Sequence, residues 1–184
     1  MIHTLTEITI TPTQAVLDGT PILCENTGEK MLTELYHKYA GNYPKYFKMD
    51  MLSRLGFTGT EILLQKEGKE RFVPTEDRAV VFGNSHSSIK NDTDYLATIS
   101  DSGNYYPSPS LFVYTLPNIV TGEIAIRNKY YGETCFYVLG SQEELQAIAE
   151  QTLRTTPHRS VIAGWVECID ETNFYANIKL LWKN

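Results

Sequence analysis

The segment Glu133–Thr156, ETCFYVLGSQEELQAIAEQTLRTT, constrains the fold more than any other. A short apolar run meets a Gly-Ser pair and passes at once into a helical pattern. Ser141 at the N-cap and Glu144 three residues on form a capping box, in which each satisfies a backbone N–H that the first turn leaves free. Leu145, Ile148, Ala149, Thr152 and Leu153 then recur at helical spacing and give an inward-facing stripe. A strand that turns directly into a helix is the unit from which α/β sheets are built. Two further runs have the same buried-strand texture: Ala79–Phe82 inside RAVVFGNSHSS, and RSVIAGWVECI. NFYANIKLLWK alternates apolar and polar residues, as an antiparallel edge strand does. ITITPTQAVLDG alternates around a turn and reads as an early hairpin or bent strand.

Helical patterns separate these runs. Asn26 and Glu29 have capping-box spacing before KMLTELYHKYAG, where Met31, Leu32, Leu35, Tyr36 and Tyr39 share one face and Gly41 ends the helix. NYPK reads as a turn. YFKMDMLSRLG reads as a short helix with Gly56 at C′, and TGTEILLQKEG as another, from near Thr60 to Gly68. Asn91 or Asp92 is placed to cap a helix through TDYLATIS. The expected class is α/β, a mixed and mostly parallel sheet flanked by helices. With no repeat and no linker, residues 1–184 are expected to form a single domain.

Tyr105–Ile126, YYPSPSLFVYTLPNIVTGEIAI, does not fit this alternation. Its prolines forbid a central strand, and its apolar content is unlike a solvated loop. Tyr105–Pro109 reads as extended chain. Leu111–Leu116 reads as buried chain beneath a site or along a dimer contact. Asn118 is a candidate helix cap, and Gly122 suggests close approach of a neighbouring element.

Net charge is −6 and the pI about 5.2, which argues against a phosphate-backbone partner. No apolar stretch is long enough to span a membrane, and MIHTLTEITI has no secretory signal pattern, so a cytoplasmic location is expected. Cys24, Cys135 and Cys168 are three and have no Cys-x-x-Cys spacing, which disfavours disulfides and structural zinc. No Gly-x-Gly-x-x-Gly, phosphate loop or His pair at ligand spacing occurs, so no cofactor or metal is expected.

Two places could carry chemistry. Ser141 stands at a strand–helix turn, where a nucleophile is exposed and the helix dipole favours an anion. It needs a base, and His86 or His158 would have to be brought to it by folding. The same serine could be only a helix cap. GNSHSS places Ser85 and His86 after a buried strand, or closes a loop with small residues.

The stretch SPSLFVYTLPNIVTGEIAIRNKYYGETCFYV resembles the β-ketoacyl-acyl-carrier-protein synthases. That family has a Ser-Pro pair, a Phe, an Asn and a Gly ahead of its active-site strand. Here they are Ser108, Pro109, Phe112, Asn118 and Gly122. SVIAGWVECID is similar to the strand after the nucleophile helix. The resemblance implies one thiolase-like half, with Phe112 and Asn118 at substrate-binding positions and the nucleophile position at or next to Ser141. The family's nucleophile is a cysteine, and its two catalytic histidines lie in a second half to which none of His3, His37, His86 and His158 corresponds. Condensation needs a thiolate and two imidazoles. The resemblance therefore implies a catalytically silent partner or acyl- or carrier-protein-binding subunit in fatty-acid or polyketide/polyene-type biosynthesis. It would pair with itself or with a complete ketosynthase through ETCFYVLG. The alternative is a small serine-dependent acyl hydrolase or acyltransferase using Ser141.

Overall fold

The computed structural model describes all 184 residues, Met1–Asn184. In chain order the elements are β1 (Ile2–Ile10), β2 (Ala15–Leu17), β3 (Thr20–Ile22), α1 (Gly28–Tyr39), a 3₁₀ turn (Pro44–Lys48), α2 (Met51–Glu67), β4 (Arg78–Asn84), α3 (Ile89–Ala97), α4 (Pro109–Val113), α5 (Ile119–Asn128), β5 (Thr134–Val138), α6 (Gln142–Thr155), β6 (Ser160–Cys168) and β7 (Phe174–Lys183). One seven-stranded sheet runs β3-β2-β1-β7-β6-β4-β5. The α/β class and the mixed sheet are as expected. The balance within the sheet is different: β4 is parallel to both β5 and β6, and the other four pairings are antiparallel.

Two core layers sandwich this sheet. On one face Val80, Phe82, Ile162, Val166, Ile178 and Leu180 meet α1, α2 and α5 in a cluster of 26 buried residues. On the other, Ala79, Val81, Val161, Ala163, Trp165 and Leu181 meet Leu145, Ala149 and Leu153 of α6. The period-2 alternation of β4 and β6 sends neighbouring residues to opposite cores, and for that reason these two strands lack a polar face. The α6 stripe packs as its spacing predicts, and Ser141 accepts a hydrogen bond from the Glu144 N–H.

Four local expectations are corrected. The segments on either side of Gly56 are one helix. Asp50 caps it by accepting from the Ser53 N–H at 3.0 Å, and Gly68 ends it at φ +70°. Gly56 lies mid-helix because a Cβ there would sit 2.6 Å from Val120 Cγ2 and 2.9 Å from Phe82 Cε2. The helix is buried nearly all round, between the sheet, α1 and α5, so it lacks the polar face that marks a surface helix. Second, the Asn26–Glu29 capping box is absent. Thr27 is the N-cap residue and makes no side-chain cap bond, while Asn26 instead binds the Glu34 carboxylate at 2.9 Å. Third, β7 is central, between β1 and β6; the edge strands are β3 and β5, and the residues of β5 are exposed or half-buried. The alternation in β7 comes from lying across two antiparallel neighbours with one shallow face. Fourth, α3 starts after Ser88 rather than at a capping Asn91 or Asp92. Asn91 is buried inside the helix and donates to the Leu111 carbonyl at 2.5 Å.

Gly122 also differs from expectation, since nothing lies within 4 Å of where its Cβ would be. Two alanine variants separate these glycine environments in urea unfolding. Gly56→Ala is expected to destabilise by about 1–2 kcal/mol, with overpacking outweighing the gain in helix propensity. Gly122→Ala is expected to stabilise by about 0.5–1 kcal/mol.

Candidate functional site at the carboxyl edge of the parallel strands

β5, β4 and β6 run parallel and deliver three turns to one edge of the sheet. Ser141 follows β5. Its hydroxyl accepts from the Glu144 N–H at 3.4 Å, and the Glu144 carboxylate turns back to the Gly140 N–H at 3.1 Å. No imidazole is among the Ser141 partners.

β4 ends in Asn84, which is fully buried. Its amide nitrogen donates to the Ser87 carbonyl at 2.8 Å and to the Val166 carbonyl of β6 at 3.0 Å, and its oxygen accepts from the Ser87 N–H at 2.8 Å. This clamp sets the Ser85–Ser88 turn, in which Ser87 has φ +53°. Near the end of β6, Glu167 accepts from the Ser85 N–H at 2.5 Å and faces His86 Nδ1 at 3.1 Å. His86 is thus oriented by a carboxylate at the same sheet edge as Ser141, with its side chain 57% exposed. Neither Asn84 nor Glu167 stands out in the sequence. The only trace of the first is that the apolar run of β4 stops at an amide, and of the second that one acid interrupts β6.

His158 lies at the opposite edge, before the start of β6, and cannot serve Ser141. Its Nδ1 is 2.7 Å from the Glu76 carbonyl, and its Nε2 is 3.4 Å from the Glu133 N. A strand of seven residues such as β4 separates the two edges by about 20 Å.

Cys135 sits within β5, half-buried, and its thiol is pushed up by burial and by Glu133, against a lowering bond from Tyr137. Burial also raises the Cys24 thiol and pushes Cys168 up to about 12. A raised thiol carries little thiolate at neutral pH, so none of the three is poised as a nucleophile.

Phe112 and Asn118 lie on the surface. Phe112 is 55% exposed and its ring packs 5.4 Å from that of Tyr95. Asn118 occupies the N-cap position of α5, but its side chain makes no cap bond and its carbonyl accepts from Gly122 and Thr121. Leu111–Leu116 is not buried chain: Val113 and Leu116 are exposed with Phe112, and Ile89, Leu96, Tyr105 and Tyr106 extend the apolar surface. The reason is that α2 and α5 already cover this face of the sheet. The short α4 is tied instead to α3, through Asn91 to Leu111 and Ser88 to the Thr115 carbonyl.

No protein-family model and no curated protein matches the chain. Solved structures match along nearly its whole length. The ishigamide ketosynthase/chain length factor aligns with TM-score 0.71 and 14% identity over 99% of this chain and 62% of that one. A ketosynthase in complex with its chain length factor from Xenorhabdus doucetiae aligns with TM-score 0.68 and 15% identity over 100% of this chain and 79% of that one. A β-ketoacyl synthase from Burkholderia phymatum STM815 gives TM-score 0.66 and 10% identity over 100% and 59%. The chain thus spans about three fifths of the length of the first and third of these. At such identities the likeness is one of fold. The chain has the thiolase-like α/β fold of ketosynthases and chain length factors, as the resemblance in sequence implied.

Asn84→Ala is expected to cost about 2–3 kcal/mol in urea unfolding, because it strands the Ser87 N–H and two carbonyls in a buried turn. The pH dependence has a definite sign. The thiols of Cys135 and Cys168, and the phenols of Tyr43, Tyr46 and Tyr130, all hold their protons more tightly than their ordinary 9.0 and 10.0, with burial the largest cause. The unfolded chain gives up these protons first. Stability is therefore expected to be undiminished by these groups below pH 9 and to fall as pH rises from 9 toward 12, as thermal midpoints across that range would report.

Proposed function

We propose that residues 1–184 form a single ketosynthase-like domain that does not condense by itself. It acts in the cytoplasm as the partner subunit of a ketosynthase in fatty-acid or polyketide/polyene-type biosynthesis. The fold supports the class. The observation that carries the reading is the open edge of β5.

That edge is prepared for another strand. The Val80 N–H donates to Glu133 and the Leu139 N–H to Asn84, so the odd-numbered residues of this segment face β4. By the alternation of a ladder, Thr134, Phe136 and Val138 turn their N–H and C=O groups to the unpaired side. These three are symmetric about Phe136, so the edge is complementary to an antiparallel strand centred opposite it. Neither proline nor a run of charge blunts it, and an unprotected edge is a template for pairing. Exposed Val138 and Ile126 flank it, and the α3–α4 apolar surface lies toward the same end. The ketosynthase from Xenorhabdus doucetiae is described as a complex with its chain length factor, and another similar structure as a ketosynthase with an acyl-carrier protein. A homodimer, a heterodimer with a complete ketosynthase and an encounter with acyl carrier protein all follow from this reading.

The chemistry agrees with silence in condensation. Ser141 takes the place of a thiolate, and its hydroxyl is engaged as a helix cap. Phe112 and Asn118 then contribute to the face shared with partner or acyl chain. A second reading has one observation in its favour: His86, oriented by Glu167, shares a sheet edge with Ser141. In that case the protein is a serine-dependent acyl hydrolase or acyltransferase.

Two measurements decide. Co-elution with ketosynthases encoded near its own gene is expected, and Val138→Pro is expected to abolish it without unfolding the chain, because that N–H faces outward. Failure to pair with any of them and with itself would overturn the subunit reading. For the second reading, turnover of acyl thioesters lost in Ser141→Ala supports it, and no turnover in the unmutated protein ends it.

A further inference from the structure

At the opposite edge of the sheet, α2 stops before the sheet does. Arg78 pairs in register with Ser160, and Ser160 with Trp182. Their side chains therefore leave the same face as Val80, Ile162 and Leu180, one row further along. Val80, Ile162 and Leu180 are fully buried in the core on the α2 side. The next row lies past Glu67 and the left-handed Gly68, and Lys69, Phe72, Val73 and Asp77 of the following segment line the space beside it. The result is a cleft of about 410 Å³, within the range of small-molecule sites.

The floor is rigid. Arg78 is 7% exposed, donates to both Glu67 oxygens at 2.9 and 2.7 Å, and also reaches Tyr130 at 3.1 Å and Ser160 at 2.9 Å. Burial opposes ionisation of Glu67, but Arg78 and Lys69 outweigh it and hold the carboxyl below its ordinary range. Two cations converge on Trp182: Lys69 Nζ stands 3.5 Å from the ring centroid and the Arg159 guanidinium 5.6 Å. Lys69 shares Glu67, at 3.0 Å. Arg159 is different, since its side chain makes no hydrogen bond or ion pair, and the Trp182 indole N–H also has no partner. One wall carries Phe72 and Val73, exposed by 37% and 45%, with Phe72 held at φ +65°. A bulky residue held in that backbone region is strained. Glu70 and Asp77 line the cleft as well, and their carboxylates are unpaired.

We propose that this cleft binds a small aromatic carboxylate. Its ring lies against Val73 and the edges of the Trp182 and Phe72 rings, whose faces already meet Lys69, Arg71 and Arg127, and its carboxylate meets the guanidinium of Arg159 and the ammonium of Lys69. Arg159 supplies a planar fork of donors with no competing acceptor, and planar carboxylates are what such a fork fits. Glu70 and Asp77 narrow the choice to ligands of single negative charge. The site is independent of the β5 edge and of Ser141.

The tryptophans are two, and Trp165 is buried in the core on the α6 side, so the indole N–H signal of Trp182 reports on the cleft. Trp165→Phe assigns it. Titration of the ¹⁵N-labelled full chain with benzoate is expected to move that signal saturably, with a dissociation constant of about 1 mM or tighter. Arg159→Gln, and separately Lys69→Gln, is expected to weaken binding by about tenfold or more, with the rest of the spectrum unchanged. No saturable shift would overturn the proposal, as would unaltered affinity in Arg159→Gln. Benzylamine binding as tightly as benzoate would also overturn it, since Glu70 and Asp77 would then define a cation site.

Discussion

The structure depends on where the Phe82 ring fits. It projects from β4 into space that exists only because Gly56 of α2 and Gly164 of β6 lack side chains; a Cβ on Gly164 would stand 2.6 Å from Phe82 Cε1. This contact brings α2 down onto the centre of the sheet, with Val120 of α5 against it. A helix seated so deeply has almost no solvent face, so a charged residue on it needs internal partners. Glu61, 1% exposed, receives Arg71 at 2.7 Å and Arg127 at 3.2 Å. A lone buried carboxylate would be strongly unfavourable, and two guanidiniums offset that cost. The same two cations hold the chain after α2 and the end of α5 to the core at the amino end of the parallel strands, opposite the end that carries Ser141.

Those ends have different chemistry. The carboxyl edge of β5, β4 and β6 carries small polar turns clamped by Asn84 and Glu167, with half-buried Ser141 and exposed His86 at their tips. The amino edge carries a cleft of cations and aromatic rings formed where α2 ends short of the sheet. The first has the placement expected of an active-site edge in an open α/β sheet. The second arises from helix length alone. A shared α/β frame leaves both free to take unrelated roles, since sites are grafted onto folds.

The open edge of β5 gives the rest of the surface its logic. A strand with three outward N–H and C=O pairs and no protective charge is a liability in an isolated monomer. The Pro-rich stretch from Tyr105 to Leu116 rests on the core through Tyr114. It hangs an apolar surface on α3 by two side-chain bonds to backbone carbonyls. Chain that is apolar, exposed and anchored suits a contact with another protein better than it suits a solvated loop.

Much of this was legible in sequence. The α6 unit was readable because its cap and stripe are local, within a few residues of one another. The apolar runs of β4 and β6 were readable because burial on both faces leaves no polar alternation. What local pattern could not give was set by contacts distant along the chain. Gly56 reads as a helix stop until Phe82 and Val120 are beside it. β7 reads as an edge strand until β1, more than 160 residues earlier, pairs along its other side. Leu111–Leu116 reads as buried because apolar chain usually is, yet the face it would cover is taken by α2 and α5. Sequence determined α6, the apolar strands β4 and β6 and the α/β class, since propensity and periodicity act over a few residues. Tertiary structure decided which strand is the edge, which histidine shares a sheet end with Ser141, and where the aromatic–cation cleft opens, because each depends on which distant segments pack together.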